Sequence, residues 1–189
     1  TSRHVAALLS DSFDAMVTVD PHLHRYKSLS DIYTLQATAV QAAPLLSAWI
    51  AEHTSNAVLI GPDSESEQWV AAVASAAATP FTVLEKIRHG DRNVTITVKD
   101  SSMLDGRQPV FVDDIISSGR TMLAAIEQVG KRSQFSPICL AVHGLFADGS
   151  DALLAQAGAQ VVTTNTVPHA TSLIDVSAVL ARSLTGSNA

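Results

Sequence analysis

The stretch that decides the fold runs from Val110 to Thr121 and reads VFVDDIISSGRT. Its apolar start predicts a buried strand, and the residues after Gly119 predict a helix that begins near Thr121. Two adjacent carboxylates, Asp113 and Asp114, follow the apolar residues directly. Backbone N–H groups at a helix start attract anions, and the helix dipole favours a negative charge there by about 0.3–1 kcal/mol. The stretch therefore predicts an anion site where a buried strand passes into a helix.

The loop residues suit the phosphate and hydroxyl groups of a sugar phosphate. Ser117, Ser118 and Thr121 offer hydroxyl donors, and Gly119 allows close approach of the backbone. The two carboxylates are acceptors for ribose hydroxyls, either directly or through Mg²⁺ and its water molecules. The alternative is that Ser117 or Ser118 only caps the helix while the carboxylates are solvated. That alternative does not explain two adjacent carboxylates placed straight after a buried strand.

Short β-rich runs alternate with Ala-rich amphipathic stretches along the chain. The predicted strands are Ala15–Val19, Ala57–Ile60, Phe81–Leu84, Val110–Val112, Ile138–Val142 and Gln160–Thr163. The predicted helices are Ser2–Leu9, Leu35–Ala51, Glu67–Ala78, Thr121–Val129, Leu153–Ala157 and Val176–Leu184. Asn93–Lys99 alternates polar and apolar residues, which predicts a half-exposed strand or hairpin arm. The alternation predicts an α/β fold with a parallel sheet flanked by helices.

Several of the predicted strands run into acidic or amide residues. These strand ends carry Asp20, Asp63, the Asp113-Asp114 pair and, after Thr163-Thr164, Asn165. The carboxyl ends of parallel strands lie along one edge of a sheet, and open α/β sheets bind their ligands at that edge. The sequence therefore predicts that these side chains converge at a ligand site.

Composition excludes several classes of function. The net charge is -6 and Lys and Arg do not cluster with aromatic residues, so a nucleic-acid partner is not expected. No apolar run approaches the roughly 18 residues of a membrane span. The lone cysteine, Cys139, lies in an apolar run and is expected to be a buried core residue. Without an intrachain disulfide or a signal peptide, a cytoplasmic setting is expected.

Asp113–Thr121 resembles the phosphoribosyl pyrophosphate loop that type I phosphoribosyltransferases share with ribose-phosphate pyrophosphokinases. Other segments resemble the pyrophosphokinases specifically, and they occur in the family order across nearly the whole chain. These segments are Val17–His22 (VTVDPH), Gly61–Asp63 (GPD), Leu84–Arg88 (LEKIR), Thr164–His169 (TNTVPH) and Ile174–Ser177 (IDVS). The chain is identified as a member of the pyrophosphokinase family, which implies the type I phosphoribosyltransferase fold.

The resemblance also implies roles for single residues. Lys86 and Arg88 would be catalytic and stabilise the transferred diphosphate, and His22 and Asp63 would belong to the metal site for Mg²⁺. The residues expected to bind ribose 5-phosphate are Asp113, Asp114, Ser117, Ser118, Gly119, Arg120 and Thr121. Purely structural alternatives to these roles stay open. His22 could be an ordinary loop residue, Asp63 could only form the turn after Pro62, and residues 86–88 could be an exposed strand end.

Four departures from the family pattern are expected to affect the site or the activity. Ser64-Glu65-Ser66 follows Pro62-Asp63, where the family usually has Ala-Gly-Gly. Ser117 stands where many members have Asp, and Arg120 stands where many have Gly. The family also has an upstream part that supplies ATP base contacts and is not in this sequence. An N-terminally truncated chain, inactive or nearly so by itself, is therefore expected.

The activity that the resemblance implies is transfer of diphosphate from ATP to the 1-hydroxyl of ribose 5-phosphate, giving phosphoribosyl pyrophosphate and AMP. Residues 1–41 would be a remnant of an N-terminal phosphoribosyltransferase-like domain, and residues 42–171 would form the C-terminal one. Residues 172–189 would be a terminal helix that returns to the first domain. A homo-oligomer, dimer or higher, is expected. The alternatives are a phosphoribosyltransferase that uses phosphoribosyl pyrophosphate and a non-catalytic regulatory paralogue, which Ser64-Glu65-Ser66 favours slightly.

Overall fold

The structure, a computed structural model, describes residues 2–23, 26–64, 66–89, 93–130 and 133–185; side chains 86–89 and 93–96 lie outside the description. The strands are β1 Ala15–Val19, β2 Gln36–Val40, β3 Ala57–Gly61, β4 Phe81–His89, β5 Asn93–Val98, β6 Gln108–Ile116, β7 Ile138–Gly144, β8 Gln160–Thr164 and β9 Ser172–Ile174. The α-helices are α1 Ser2–Ser12, α2 Ala43–His53, α3 Glu67–Ala76, α4 Arg120–Val129, α5 Ser150–Gln156 and α6 Ser177–Leu184. The chain divides into two units, residues 1–42 with 175–189 and residues 43–174, and each is described by itself.

The unit of residues 43–174 is built on one sheet. Within the described residues its strand order is β5-β4-β3-β6-β7-β8-β9. Each neighbouring pair is parallel except β4 and β5, which form an antiparallel hairpin at the edge. The central strands read as continuous apolar runs, as strands covered on both faces do. Strand β6 lies in the middle of the sheet, between β3 and β7, so its carboxyl end is at the centre of the ligand-binding edge.

Helices pack in pairs in this unit. The hydroxyl of Ser47 in α2 is buried and donates to the Val73 carbonyl of α3 over 3.0 Å. Helix α4 packs beside α5, and the two share one core cluster with the central strands. The cluster includes Val58, Ile60, Phe111, Ile116, Met122, Ala125, Ile126, Val129 and Leu154. The lone cysteine, Cys139, is buried in the same cluster, as predicted.

The unit of residues 1–42 and 175–189 contains a parallel pair of strands, β1 and β2. Helix α6 packs against both strands. Asp20 follows β1 with a positive φ of 35°. Its N–H donates to Val40, and its carboxylate accepts from the Ala42 N–H over 2.8 Å. Asp20 therefore ties the end of β1 to the residues that follow β2.

Most predicted elements are confirmed, including all six strands, the hairpin arm now seen as β5, and the α/β fold. The helix predicted at Leu35–Ala51 is wrong in its first half, where the structure has β2. The Ala-rich segment has weak local preference, so its backbone pairing with β1 decides its conformation. Pro44, in the first turn of α2, is the overlooked signal, because proline favours helix starts over helix interiors. The short strand β9 was not predicted.

Strand β6 is also longer than predicted. It extends through Asp113 and Asp114 to Ile116, rather than ending at Val112. Pairing with β7 continues to Gly144, which carries the strand past the carboxylates. The two carboxylates therefore lie within the last part of the strand, not in the loop after it. In the part of the chain that the structure describes, no helix is long and apolar enough to cross a membrane.

Candidate functional site

The carboxylates of β6 directly follow a buried segment of that strand. Val110, Phe111 and Val112 before them are almost completely buried. Asp113 pairs with Ala141 of β7, and its Oδ1 accepts the N–H of Asp114 over 2.9 Å. Both aspartates are half-buried at the carboxyl edge of the sheet. Neither is the solvated surface residue of the alternative interpretation.

Three carboxylates influence one another at this edge. Burial, followed by the negative charge of Asp114 and, as a smaller contribution, that of Asp63, raises the pKa of the Asp113 carboxyl to about 7. Asp63 belongs to the segment after β3, the neighbour of β6, so the predicted convergence of these strand ends is present in the structure. Gathering negative charge in a half-buried place is unfavourable unless a cation or hydroxyl donors share it. The arrangement fits a cation such as Mg²⁺ or the hydroxyls of a sugar.

Within the part of the chain that the structure describes, side chains alone do not form a closed metal site. Among the described residues, no group of three or more His, Cys, Asp or Glu side chains is placed to hold a metal ion. Mg²⁺ is usually bound by one or two carboxylates together with substrate phosphates and water. A pair of carboxylates from Asp63, Asp113 and Asp114 meets that requirement, with the remaining ligands coming from substrate and solvent.

The turn after β3 orients Asp63. Its carboxylate Oδ1 accepts the N–H of Ser66 over 3.1 Å, while the Ser66 hydroxyl donates to the Asp63 carbonyl over 2.8 Å. Gly61 has no room for a side chain, because a Cβ would lie 2.9 Å from both Ser66 Oγ and Val70 Cγ2. Ser66 thus stabilises the turn in which the family usually has glycines. Glu65 lies outside the described residues.

Gly119 joins β6 to α4 and cannot be replaced without strain. It adopts a left-handed backbone, with φ at 63°, and is the N-cap residue of α4. A Cβ at this position would lie 3.2 Å from the Cβ of Ser150 in α5. A glycine without a side chain caps the helix, so the interpretation that Ser117 or Ser118 is the cap is wrong. Because the capping residue is a glycine, it offers no side chain to these first N–H groups of α4, which suits an anion site.

The other predicted ligands of the sugar phosphate surround that glycine. Ser117 and Arg120 are exposed, whereas Ser118 and Thr121 are half-buried. The chain therefore brings the carboxylates at the end of β6, the hydroxyls after it and the start of α4 into one segment, residues 113–121, which we call the phosphate loop.

Helix α5 and the segment before it support the phosphate loop, which the sequence did not predict. The carbonyl of Ile116 accepts the N–H groups of Leu145 and Phe146 over 3.0 and 3.1 Å. The hydroxyl of Ser150 donates to the carbonyl of Ser117 over 2.6 Å. The only sequence signal for Ser150 is its position at the start of a helix that follows a strand.

Two threonines at the end of β8 precede Asn165, the residue that was predicted to face the ligand site. Thr163 and Thr164 are completely buried rather than directed to a ligand. The Thr163 hydroxyl bonds to the Thr171 hydroxyl over 2.9 Å, and the Thr164 hydroxyl donates to the Val142 carbonyl over 2.7 Å. They join β7, β8 and the following turn, because hydroxyls inside a sheet must find partners. Asn165, one residue further on, is exposed.

Lys86 and Arg88 lie in β4, where their backbones pair with Ile96 and Val94 of β5. Their side chains lie outside the described part of the structure, and so do residues 90–92 that follow β4. The structure therefore places the backbones of these two residues in the hairpin at the edge of the sheet. Their predicted role stays a prediction.

His22 belongs to the other unit, just after β1, and is exposed. It lines a cavity of about 510 Å³ whose other lining residues are mostly apolar or aromatic and include Tyr26 and Tyr33. Asp63 lies in the unit of residues 43–174, so the two predicted metal-site residues belong to different units. Their joint role in binding Mg²⁺ stays a prediction.

The sheet and the phosphate loop together define an α/β protein of the type I phosphoribosyltransferase kind. A family model described as the phosphoribosyl transferase domain matches residues 28–179, and the chain belongs to that family.

Comparison with known proteins adds a more specific likeness. The chain is 29% identical over 186 residues to the ribose-phosphate pyrophosphokinase of Halobacterium salinarum, covering 97% of this chain and 64% of that protein. It is 30% identical over 185 residues to the enzyme of the same name from Methanopyrus kandleri, covering 96% and 62%. The crystal structure of phosphoribosylpyrophosphate synthetase from Mycobacterium smegmatis superposes with a TM-score of 0.78 at 24% identity, covering 98% and 62%.

These matches confirm the predicted resemblance to the pyrophosphokinases and the predicted fold. The chain spans less than two thirds of the length of the curated relatives that it matches.

Proposed function

We propose that this chain belongs to a ribose-phosphate diphosphokinase, which transfers diphosphate from ATP to ribose 5-phosphate and gives phosphoribosyl pyrophosphate and AMP. The observation that carries the proposal is the phosphate loop, in which two half-buried carboxylates lie close in sequence to a helix start capped by Gly119. Sequence similarity to enzymes of that name along almost the whole chain favours this activity over that of other members of the fold.

Each part of the loop would have a distinct task. The N–H groups at the start of α4 and the hydroxyls of Ser117, Ser118 and Thr121 would bind the 5-phosphate, with Arg120 beside them. Asp113 and Asp114 would accept hydrogen bonds from the ribose hydroxyls. Holding the sugar in this way aligns its 1-hydroxyl for an in-line displacement.

The chemistry itself would be positioning and charge stabilisation. The oxygen of the 1-hydroxyl attacks the β-phosphorus of ATP, the bond from that phosphorus to the bridging oxygen of the α-phosphate breaks, and AMP leaves with that oxygen. The proton of the hydroxyl passes to water. Lys86 and Arg88 would stabilise the negative charge of the transferred group. Mg²⁺, when bound, neutralises phosphate charge; His22 and Asp63 would belong to its site, as the resemblance implies.

The ribose 5-phosphate site is tested by removing its carboxylates. We expect the Asp113→Asn, Asp114→Asn double variant to weaken ribose 5-phosphate binding by more than about tenfold, because two hydroxyl acceptors are lost. Asp105→Asn, which removes an exposed carboxylate elsewhere in the same unit, should bind as the wild type does. Titration calorimetry measures the affinities, and circular dichroism checks the fold. Equal affinity in the double variant and the wild type would show that the carboxylates do not contact the sugar.

One assay separates the candidate activities. A diphosphokinase releases AMP from ATP and ribose 5-phosphate in the presence of Mg²⁺, whereas a phosphoribosyltransferase releases pyrophosphate from phosphoribosyl pyrophosphate and a base. A regulatory paralogue does neither. Because the chain is shorter than its relatives, the assay should include the longest natural form of the protein. AMP release that requires both substrates supports the proposal, and base-dependent pyrophosphate release would replace it.

We further propose a homo-oligomer, supported by apolar side chains on the surface of the unit that contains α1. Val5 is 49% exposed, Leu8 66% and Phe13 60%. Monomers rarely leave large apolar patches in water. This unit would be part of an N-terminal phosphoribosyltransferase-like domain, and residues 43–174 would be the C-terminal one. A cytoplasmic setting is proposed as well, supported by Cys139 remaining a free, buried thiol.

A further inference from the structure

Ser150 is the first residue of α5 and is fully buried, although its side chain is polar. Its hydroxyl donates to the carbonyl of Ser117 over 2.6 Å. It also lies against Gly119, where a Cβ would come within 3.2 Å of the Ser150 Cβ. One buried side chain therefore lies against Gly119 and also donates to Ser117, which is 33 residues earlier in the chain.

The bond from Ser150 acts on one particular peptide group. The backbone on either side of it is held by backbone bonds, since Ile116 accepts from Leu145 and Phe146, and Gly119 accepts from Leu123 over 2.8 Å. The peptide group that joins Ser117 to Ser118 lies between these two anchors. Ser150 provides the side chain that holds its carbonyl.

Fixing that carbonyl also fixes the N–H of the next residue. A trans peptide group is planar, so the N–H of Ser118 points opposite to the C=O of Ser117. Because the Ser117 carbonyl points towards the Ser150 hydroxyl, the Ser118 N–H points away from Ser150. The same bond engages the Ser117 carbonyl, which would repel an anion, with Ser150 instead of leaving it free to face a ligand.

We propose that Ser150 is a positioning residue for the ribose 5-phosphate site: it holds the Ser117–Ser118 peptide group so that the Ser118 N–H donates to the bound phosphate. The inference rests on the proposed ribose 5-phosphate site and adds a residue that does not touch the substrate itself. If the hydroxyl is removed, the Ser117 carbonyl loses its buried partner and the peptide group turns to find another. The loop then presents an acceptor where the phosphate needs a donor.

The test compares Ser150→Ala with Ser47→Ala. Ser47 is also a buried serine, 3% exposed, whose hydroxyl donates to the backbone carbonyls of Ala43 and Val73 in the same unit. Both variants lose one buried hydroxyl, so both should lose thermal stability to a similar degree. Only Ser150→Ala should weaken the binding of ribose 5-phosphate to the 189-residue chain, by about tenfold, because only its loop is misaligned.

Nuclear magnetic resonance provides a second readout that a general loss of stability would not change. In the wild type, inorganic phosphate and ribose 5-phosphate should each shift the amide signal of Ser118. In Ser150→Ala that signal should lie elsewhere before ligand is added and respond less to it, whereas in Ser47→Ala it should behave as in the wild type. A wild-type affinity and an unchanged Ser118 signal in Ser150→Ala would overturn the role of Ser150 alone. Failure of the wild type to bind ribose 5-phosphate would overturn the proposed function, and this inference with it.

Discussion

Burial beside two other carboxylates makes Asp113 the acid whose ionisation is linked to folding in this site. Its pKa rises from 3.8 to about 7 in the folded chain. Between these values the folded state holds the proton more tightly than the unfolded state. The free energy of unfolding therefore falls as pH rises through this window, and the destabilisation is complete above about pH 7.

We predict that Asp113→Asn stabilises the metal-free protein near about pH 8 and has little effect near about pH 4. The amide keeps the shape of the side chain but never ionises. A difference of about three pKa units corresponds to about 4 kcal/mol, and the partial exposure of Asp113 to water reduces the expected gain to about 1–2 kcal/mol. Urea denaturation at both pH values measures the gain, with Asp105→Asn as the control. A gain of equal size at both pH values would contradict the linkage.

Gly119 offers a second prediction for a single residue. Gly119→Ala places a Cβ on a left-handed backbone and 3.2 Å from the Cβ of Ser150. Gly106→Ala imposes similar backbone strain, with φ at 68°, but its Cβ would meet nothing within 4 Å. Both variants should lose about 1 kcal/mol from the strain. Gly119→Ala should lose more than that and should also bind ribose 5-phosphate less tightly. Identical behaviour of the two variants, by thermal denaturation and calorimetry, would show that contact with α5 is unimportant.

Among the elements, α5 supports the phosphate loop directly, because its first residue, Ser150, donates a hydrogen bond to the Ser117 carbonyl. Helix α5 packs into the core through Leu154. This side chain is completely buried, and a Cβ on Gly119 would lie 3.5 Å from it. The preceding residue, Leu153, is 44% exposed. One helix of seven residues thus offers two adjacent leucines in opposite environments.

We predict that Leu154→Ala lowers the free energy of unfolding by about 2–5 kcal/mol, the usual cost of a cavity in a core. Leu153→Ala should change it by less than about 0.5 kcal/mol. Amide hydrogen exchange should show faster opening of residues 117–119 in Leu154→Ala only, because the support under the loop is weakened. Unchanged exchange there, despite the lower stability, would mean that α5 does not control the loop.

For the molecule as a whole, exposed apolar side chains lead to a prediction about its assembly. Leu8 on α1 is 66% exposed, and Leu173 in β9 is 60% exposed. If the surface that carries α1 joins copies of the chain, Leu8→Glu should shift the protein towards monomer at micromolar concentration, because burying a carboxylate in an apolar contact is unfavourable. Leu173→Glu should leave the distribution unchanged. Analytical ultracentrifugation compares the variants, and a wild type that sediments as a monomer would refute the proposed oligomer.

The sequence by itself determined the parts of this protein that depend on local pattern. Apolar runs alternating with amphipathic stretches predicted the α/β class, and the residues from Val110 to Thr121 predicted a strand, a carboxylate pair and a helix start. Such features depend on the periodicity of neighbouring residues and on the chemistry of a short loop, so one stretch of chain is sufficient to specify them. The convergence of Asp63 on Asp113 also followed, because parallel strands end at one edge.

Only the tertiary structure decided the features that depend on distant partners. Gln36–Val40 is a strand because β1 pairs with it, although its alanines suit a helix equally well. Asp113 lies inside β6 because pairing with β7 extends that strand. Ser150 holds a carbonyl 33 residues before it. The physical reason is the same each time: the free energy of a hydrogen bond or a buried group depends on what packs against it, and that partner is close in space but not in sequence.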